Sequence, residues 1–186
     1  MITDKKEQRK AALGARRALS AGERAAFSKK ICGRVARTKA FRNAKTILAY
    51  LATWDEVDLS SLCEKAEKLG KAVAYPVSYK DGIMEAFVPH GPESLKTGLL
   101  GITAPDPEES VLLAPEDIDL VLVPLVAFDE EKRRLGHGGG YYDRYLPKCS
   151  KAEFIAVAFE AQKIKEIATD SYDVLMKTIV TEEKVY

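Results

Sequence analysis

Cysteine, histidine and tryptophan are scarce: three, two and one in 186 residues. Cys32, Cys63 and Cys149 are widely spaced and odd in number, so no disulfide framework is expected, and no CxxC pair is there to hold zinc. A reducing, cytoplasmic compartment follows as the expectation. The chain also lacks any run of the roughly 20 uncharged residues that a membrane span requires. Its longest apolar run, Leu120 to Phe128, is shorter and contains Pro124. The opening Met1-Ile-Thr-Asp-Lys-Lys has no apolar core, so no secretory signal and no membrane partner are expected. Walker A, GxGxxG, Ser-His-Asp and Cys-His patterns are absent too, which leaves nucleophilic hydrolysis unsupported.

What is present is ordinary globular material, with 46% apolar and 31% charged residues. The length suggests one domain with a sizeable core. A net charge of +1 conceals an asymmetry, because residues 1–42 hold 13 Lys/Arg against 3 Asp/Glu. A basic arm attracts polyanions: a nucleotide, a polycarboxylate or a nucleic acid. The competing explanation is two solvated helix faces. A nucleic-acid module is disfavoured, since only Phe27 and Phe41 interleave the basic residues and no RNA-binding motif occurs.

Residues 4–19 read as a helix. Ser20-Ala-Gly-Glu23 is a capping-box pattern that starts another, with Phe27, Ile31 and Val35 on one face. Together these form basic helices over 4–40, packed on the remainder. Strands are expected over Lys45 to Ala52, Ala72 to Pro76, Gly82 to Val88, Asp119 to Pro124, Glu153 to Phe159 and Lys177 to Thr181. Asp58 is placed to cap a helix bearing Leu59, Leu62, Ala66 and Leu69 and ended by Gly70. Residues 89–118, rich in Pro and Gly, read mostly as loop. Alternating strands and helices give an α/β class with a mainly parallel sheet covered on both faces.

The strongest local signal is Arg134-Leu135-Gly136-His137-Gly138-Gly139-Gly140-Tyr141-Tyr142-Asp143-Arg144. It follows the apolar strand and opens a helix over about 140–147. Four glycines in five positions remove the β-carbons that block close approach of a backbone. Exposed amides there can cradle a phosphate, or the segment can be a structural turn. Asp143 can cap the helix or hold Mg2+ beside a triphosphate. Arg134 can neutralise phosphoryl charge or be a surface residue beside Lys132 and Arg133.

This segment, preceded by Pro124 and Ala127-Phe128-Asp129, resembles the signature of 5-formyltetrahydrofolate cyclo-ligases, also called methenyltetrahydrofolate synthetases. Lys5 with Arg9, Tyr50-Leu51, Asp55 to Asp58, Gly70-Lys71, Tyr75-Pro76, Ala158-Phe159 with Gln162, Asp173 and Thr181-Glu182 agree in order and spacing. Leu125 and Ala104 depart from residues frequent in the family. The resemblance implies a single three-layer α/β/α domain over 1–186. It also implies an ATP- and Mg2+-dependent conversion of 5-formyltetrahydrofolate to 5,10-methenyltetrahydrofolate.

By the same resemblance, ATP would be bound by Lys5, Arg9 and residues 134–142, including Leu135 and His137. The folate would be bound by Leu51, Glu56 and the stretch Gly138, Gly139, Gly140, Tyr141 and Tyr142. Arg134 and Tyr142 would be catalytic, and Asp143 and Asp173 would hold the metal. Trp54 is expected to pack beside the folate loop, His137 to act as a polar spacer, and His90 to sit in a loop. The partners expected are small molecules, with no nucleic acid, and the chain is expected to be monomeric. The remaining alternative is another nucleotide- or sugar-phosphate-binding α/β enzyme using the same glycines.

Overall fold

The apolar run Leu120–Pro124 lies inside a seven-stranded sheet in the computed structural model, which describes residues 4–186. The chain runs through α1 (Lys5–Ala18), α2 (Ala21–Val35), α3 (Lys39–Asn43), β1 (Thr46–Leu48), α4 (Ser60–Lys68), β2 (Ala72–Ser78) and β3 (Met84–Pro89). Then come β4 (Leu95–Thr97), β5 (Thr103–Pro105), β6 (Ser110–Leu113), β7 (Leu120–Pro124), β8 (Ala127–Phe128) and β9 (Arg134–Leu135). The last elements are α5 (Tyr141–Tyr145), β10 (Glu153–Val157) and β11 (Thr178–Val180).

The sheet order is β11-β10-β7-β1-β2-β3-β6. The first five strands are parallel neighbours, and β3 and β6 extend the sheet antiparallel. Side chains alternate across a strand, and here both faces are apolar. Leu120 and Leu122 of β7, with Ile155 and Val157 of β10, join Ile31, Phe41 and Leu62 on one face. Val121 and Val123, with Ala156, join Tyr145, Leu146 and Met176 on the other. The first face lies under α2, α3 and α4. The second is covered by the short α5 and irregular chain.

Local chemistry sets the helix starts. The Ser20 side chain accepts from the Glu23 amide while Glu23 reaches back to the Ser20 amide, the reciprocal cap that its spacing implied. Asp58 Oδ1 accepts from the Ser60 amide at 2.9 Å, just ahead of α4.

Three differences from the sequence reading have physical causes. Residues 89–118 are not mostly loop: they contain β4, β5 and β6, and β6 forms the sheet edge. Their prolines sit at strand ends and at the starts of single 3-10 turns, where a missing amide costs little. The first strand ends at Leu48 rather than Ala52, because the chain leaves the sheet there to form a loop beyond its carboxyl end. Residues 127–135 form a small hairpin, β8 with β9, turned by Lys132 at φ 62°. Helix α1 lies against that hairpin, with Ala12 packed among Val126, Ala127, Leu135 and Ile167.

Candidate active site

Open α/β sheets place ligands beyond the carboxyl ends of their parallel strands. Here the chain beyond β1 carries Leu51 to Asp58, and the chain beyond β7 carries the hairpin and the glycine segment. Helix α1 crosses both. Lys5, Gln8, Arg9, Ala12 and Arg16 recur at spacings of three and four, so they form one stripe along the helix. Over the eleven residue steps from Lys5 to Arg16 that stripe is about 16 Å long.

Each end of the stripe has a partner. Lys5 Nζ lies 2.7 Å from Asp170 Oδ2 and 2.6 Å from Asp173 Oδ2. Burial pulls the Lys5 amine down, but the two carboxylates outweigh it and the net shift is upward. Arg9 Nε donates to the Gly136 carbonyl at 2.8 Å. Arg16 is 2% exposed, and its Nη2 lies 3.0 Å from Asp55 Oδ1. Its Nη1 is 3.9 Å from Glu56 Oε1.

The glycine segment is shaped for close approach. His137, Gly138 and Gly139 are exposed and Gly136 is half-buried. Gly138 has φ 103°, and a β-carbon there would lie 3.4 Å from Arg9 Cζ. Gly140 has φ 66° and forms the turn into α5. Arg144 ties that turn down by donating to the carbonyls of Gly139 and Gly82. The Tyr141 hydroxyl donates to the Tyr79 carbonyl at 2.9 Å. Because α5 has only five residues, its dipole is small. Any anion here would therefore be held by loop amides and cationic side chains.

Arg134 is not a surface residue. It is 6% exposed and paired with Asp143 Oδ1, and its Nε is buried without a hydrogen bond among the described residues. A buried guanidinium with an unpaired donor is costly unless something arrives to accept from it. Asp143 Oδ1 also accepts from the Val174 amide at 3.2 Å, which brings Asp173 alongside. The structure thus gathers Lys5, Asp173, Asp143, Arg134, Gly136 and Arg9 into one chain of contacts.

Glu56 faces the same region from the β1 side. Its Oε1 is 3.4 Å from His137 Nε2 and its Oε2 accepts from the Thr53 amide at 2.9 Å. Burial raises its pKa, but His137, the Thr53 amide and Arg16 outweigh that, and the net shift is downward. The Tyr142 hydroxyl is buried and lacks a hydrogen-bond partner among the described residues. Burial and the nearby Glu56 charge push its pKa upward, so it stays a neutral donor. Beside Glu56 opens a cleft of about 510 Å³ lined by Ala21, Arg24, Leu51, Trp54, Glu56 and Thr103. Trp54 does not pack away: it is 67% exposed, with Arg24 and Arg17 over its ring.

The sequence reading missed Arg16 and Asp55 as a buried pair, and Tyr50, whose hydroxyl donates to the Val57 carbonyl at 3.0 Å. The one available signal was Asp55 beside Glu56 in a loop otherwise rich in apolar residues.

Among the described residues no cluster of three or more His, Cys, Asp or Glu forms a ready-made metal cage. The second oxygens of Asp143 and Asp173 take no hydrogen bond among the described residues. One or two carboxylates completed by water and phosphate oxygens suit Mg2+, which keeps much of its hydration. The donors present therefore fit that ion.

A probable 5-formyltetrahydrofolate cyclo-ligase of Schizosaccharomyces pombe is 34% identical over 170 residues, covering 83% of each chain. The Escherichia coli 5-formyltetrahydrofolate cyclo-ligase is 31% identical over 147 residues, covering 77% of this chain and 81% of its own. A 5,10-methenyltetrahydrofolate synthetase of Aquifex aeolicus, solved by NMR, superposes with a TM-score of 0.85 at 34% identity, over 97% of this chain and 91% of that one. The Mycoplasma pneumoniae synthetase superposes at 0.79 with 28% identity, over 96% and 99%. The model of the 5-formyltetrahydrofolate cyclo-ligase family matches residues 1–182, and the chain belongs to that family.

Proposed function

We propose that this chain uses ATP to convert 5-formyltetrahydrofolate to 5,10-methenyltetrahydrofolate, releasing ADP and phosphate. Membership of the family makes it an ATP-dependent ligase of folate chemistry. The chemistry explains the nucleotide. A formamide oxygen leaves poorly. When the bond from the γ-phosphorus to ADP breaks and one to the formyl oxygen forms, that oxygen becomes a phosphate leaving group. N10 then attacks the formyl carbon, the carbon–oxygen bond breaks, and the N10 proton is lost.

The chain's own groups supply position and charge. Lys5 and Arg9 would meet the triphosphate from α1, with amides of residues 135–142 around it. Arg134 would use its unpaired Nε on the phosphoryl oxygens. The buried Tyr142 hydroxyl would donate toward the formyl group. Glu56 would accept the paired N–H groups of the pterin edge. Mg2+, held by Asp143 and Asp173, would neutralise phosphate charge.

The observation that carries the reading is the convergence of α1 on the glycine segment, fixed by the Arg9–Gly136 bond. It also commits the basic arm. Arg16 is buried, Lys5 and Arg9 serve the site, and Arg34 donates to the carbonyls of Glu182 and Glu183. That supports small-molecule partners rather than nucleic acid. Three buried cysteines, none in a disulfide, support a cytoplasmic setting. No helix among the described residues is long and apolar enough to cross a membrane. The working unit in this reading is the single chain, a monomer with one catalytic domain.

The test is spectroscopic. Protein, Mg-ATP and 5-formyltetrahydrofolate should produce the near-ultraviolet absorbance of the methenyl product with one ADP per turnover. Folded protein that binds ATP but leaves the folate unchanged would point to another nucleotide-dependent reaction.

A further inference from the structure

Trp54, the only tryptophan, contributes little to the core: it is 67% exposed at the mouth of the cleft that holds Glu56. The Arg24 guanidinium lies 5.1 Å from its ring centroid and that of Arg17 lies 5.8 Å away. The two arginines differ in what they already hold. Arg17 Nε is 3.0 Å from Asp55 Oδ2. Arg24 donates to the Leu19 carbonyl and has no carboxylate within ion-pair distance among the described residues. The adjacent Glu23 is occupied by its capping box with Ser20.

An exposed ring beside an uncompensated guanidinium suits a ligand that is itself an aryl group carrying a carboxylate. The proposed substrate has such an end. Its pterin is joined through a short methylene-amino link to a benzoyl ring, and that ring bears glutamate. Trp54 and Glu56 are two residues apart, a backbone span of at most about 7 Å. With the pterin edge on Glu56, Trp54 in the same cleft lining is within reach of the benzoyl ring.

Resting on the proposed reaction, we propose that Trp54 and Arg24 form a subsite for the benzoyl-glutamate end of the folate. Trp54 contacts the ring and Arg24 binds a carboxylate. These residues are thereby specificity determinants, which select for the tail and take no part in the chemistry.

Because Trp54 is the sole tryptophan, its fluorescence reports on this subsite directly. Titration with p-aminobenzoylglutamate should change it saturably. The dimethyl ester, which lacks both carboxylates, should bind at least about tenfold more weakly, and Arg24→Gln should weaken the acid by a similar factor. Arg24→Lys, which keeps the charge, should restore part of the affinity, and circular dichroism of both variants checks folding. In turnover, Arg24→Gln should lower kcat/KM for 5-formyltetrahydrofolate relative to that for a tail-free 5-formyltetrahydropterin. No fluorescence response in wild-type protein that forms the methenyl product would overturn the subsite alone. Equal binding of acid and ester would overturn the role of Arg24. A fluorescence response without methenyl product would sink the reaction reading while supporting the subsite.

Discussion

Arg16 shows how one buried charge organises this site. It is 2% exposed, and its Nε has no hydrogen-bond partner among the described residues, yet Asp55 and Glu56 both approach its terminal nitrogens. Removing the closer partner, Asp55, leaves the buried guanidinium only Glu56 at 3.9 Å, and breaking a buried pair costs about 3–5 kcal/mol. Asp55→Asn should therefore lower stability by that order in urea denaturation. The gap should be pH-dependent. Burial raises the Asp55 pKa, but Arg17 and Arg16 outweigh it, so the folded value lies below the unfolded one. The stabilisation is complete above the ordinary aspartate pKa and is lost as pH falls through the folded value. Wild type and variant should converge in acid, and a gap that persisted there would assign the effect to packing. Glu56 makes a different prediction. Glu56→Gln keeps the shape but loses the charge, and should lower kcat/KM for the folate about tenfold to a hundredfold, with a much smaller change in the KM for ATP. An equal loss for both substrates would move Glu56 out of the pterin contact. The sequence hid these roles unevenly. Arg134 stands beside Lys132 and Arg133, so local composition left a surface residue open as the alternative to a phosphate contact, while the fold buries it against Asp143. The partnership of Arg16 with Asp55 joins two distant segments, and the one local mark of it is Asp55 beside Glu56 in a largely apolar loop.

At the scale of elements, the pieces with a local cause were legible in the sequence. The capping box that starts α2 and the apolar strands β7 and β10 are written in short-range patterns. The glycine segment was legible as well, because the loss of four β-carbons has a physical meaning wherever it occurs. The strands β4 to β6 were not, because they are short, pair at long range, and are flanked by prolines that also mark loops. The path of α1 across the carboxyl ends of β1 and β7 was legible only as a periodic basic face. It meets the glycine segment at Gly138, whose φ of 103° is a backbone conformation that side chains rarely adopt. Gly138→Ala should cost about 1–3 kcal/mol locally. That cost should appear as a raised KM for Mg-ATP and a modestly lowered Tm. A variant with unchanged nucleotide affinity would return the segment to the role of a structural turn.

The whole molecule separates two tasks across one sheet. Apolar residues on both faces of β7, β1 and β10 hold a rigid platform. The loops beyond its carboxyl ends bring the cations of α1, the glycine segment and Glu56 together, through the Arg9–Gly136 and Glu56–His137 contacts. In the proposed reading, the basic bias of residues 1–42 has a purpose beyond solubility, since Lys5 and Arg9 within it would meet the triphosphate. The sequence displayed this asymmetry but not its direction, because only the fold shows which arginines turn inward. The account stands on transfer of a phosphoryl group to the formyl oxygen at this site. The most direct measurement is to label that oxygen with a heavy isotope and follow it through a single turnover with Mg-ATP. The label should appear in the released inorganic phosphate, one atom per methenyl product formed. Label recovered in water, with none in the phosphate, would contradict it.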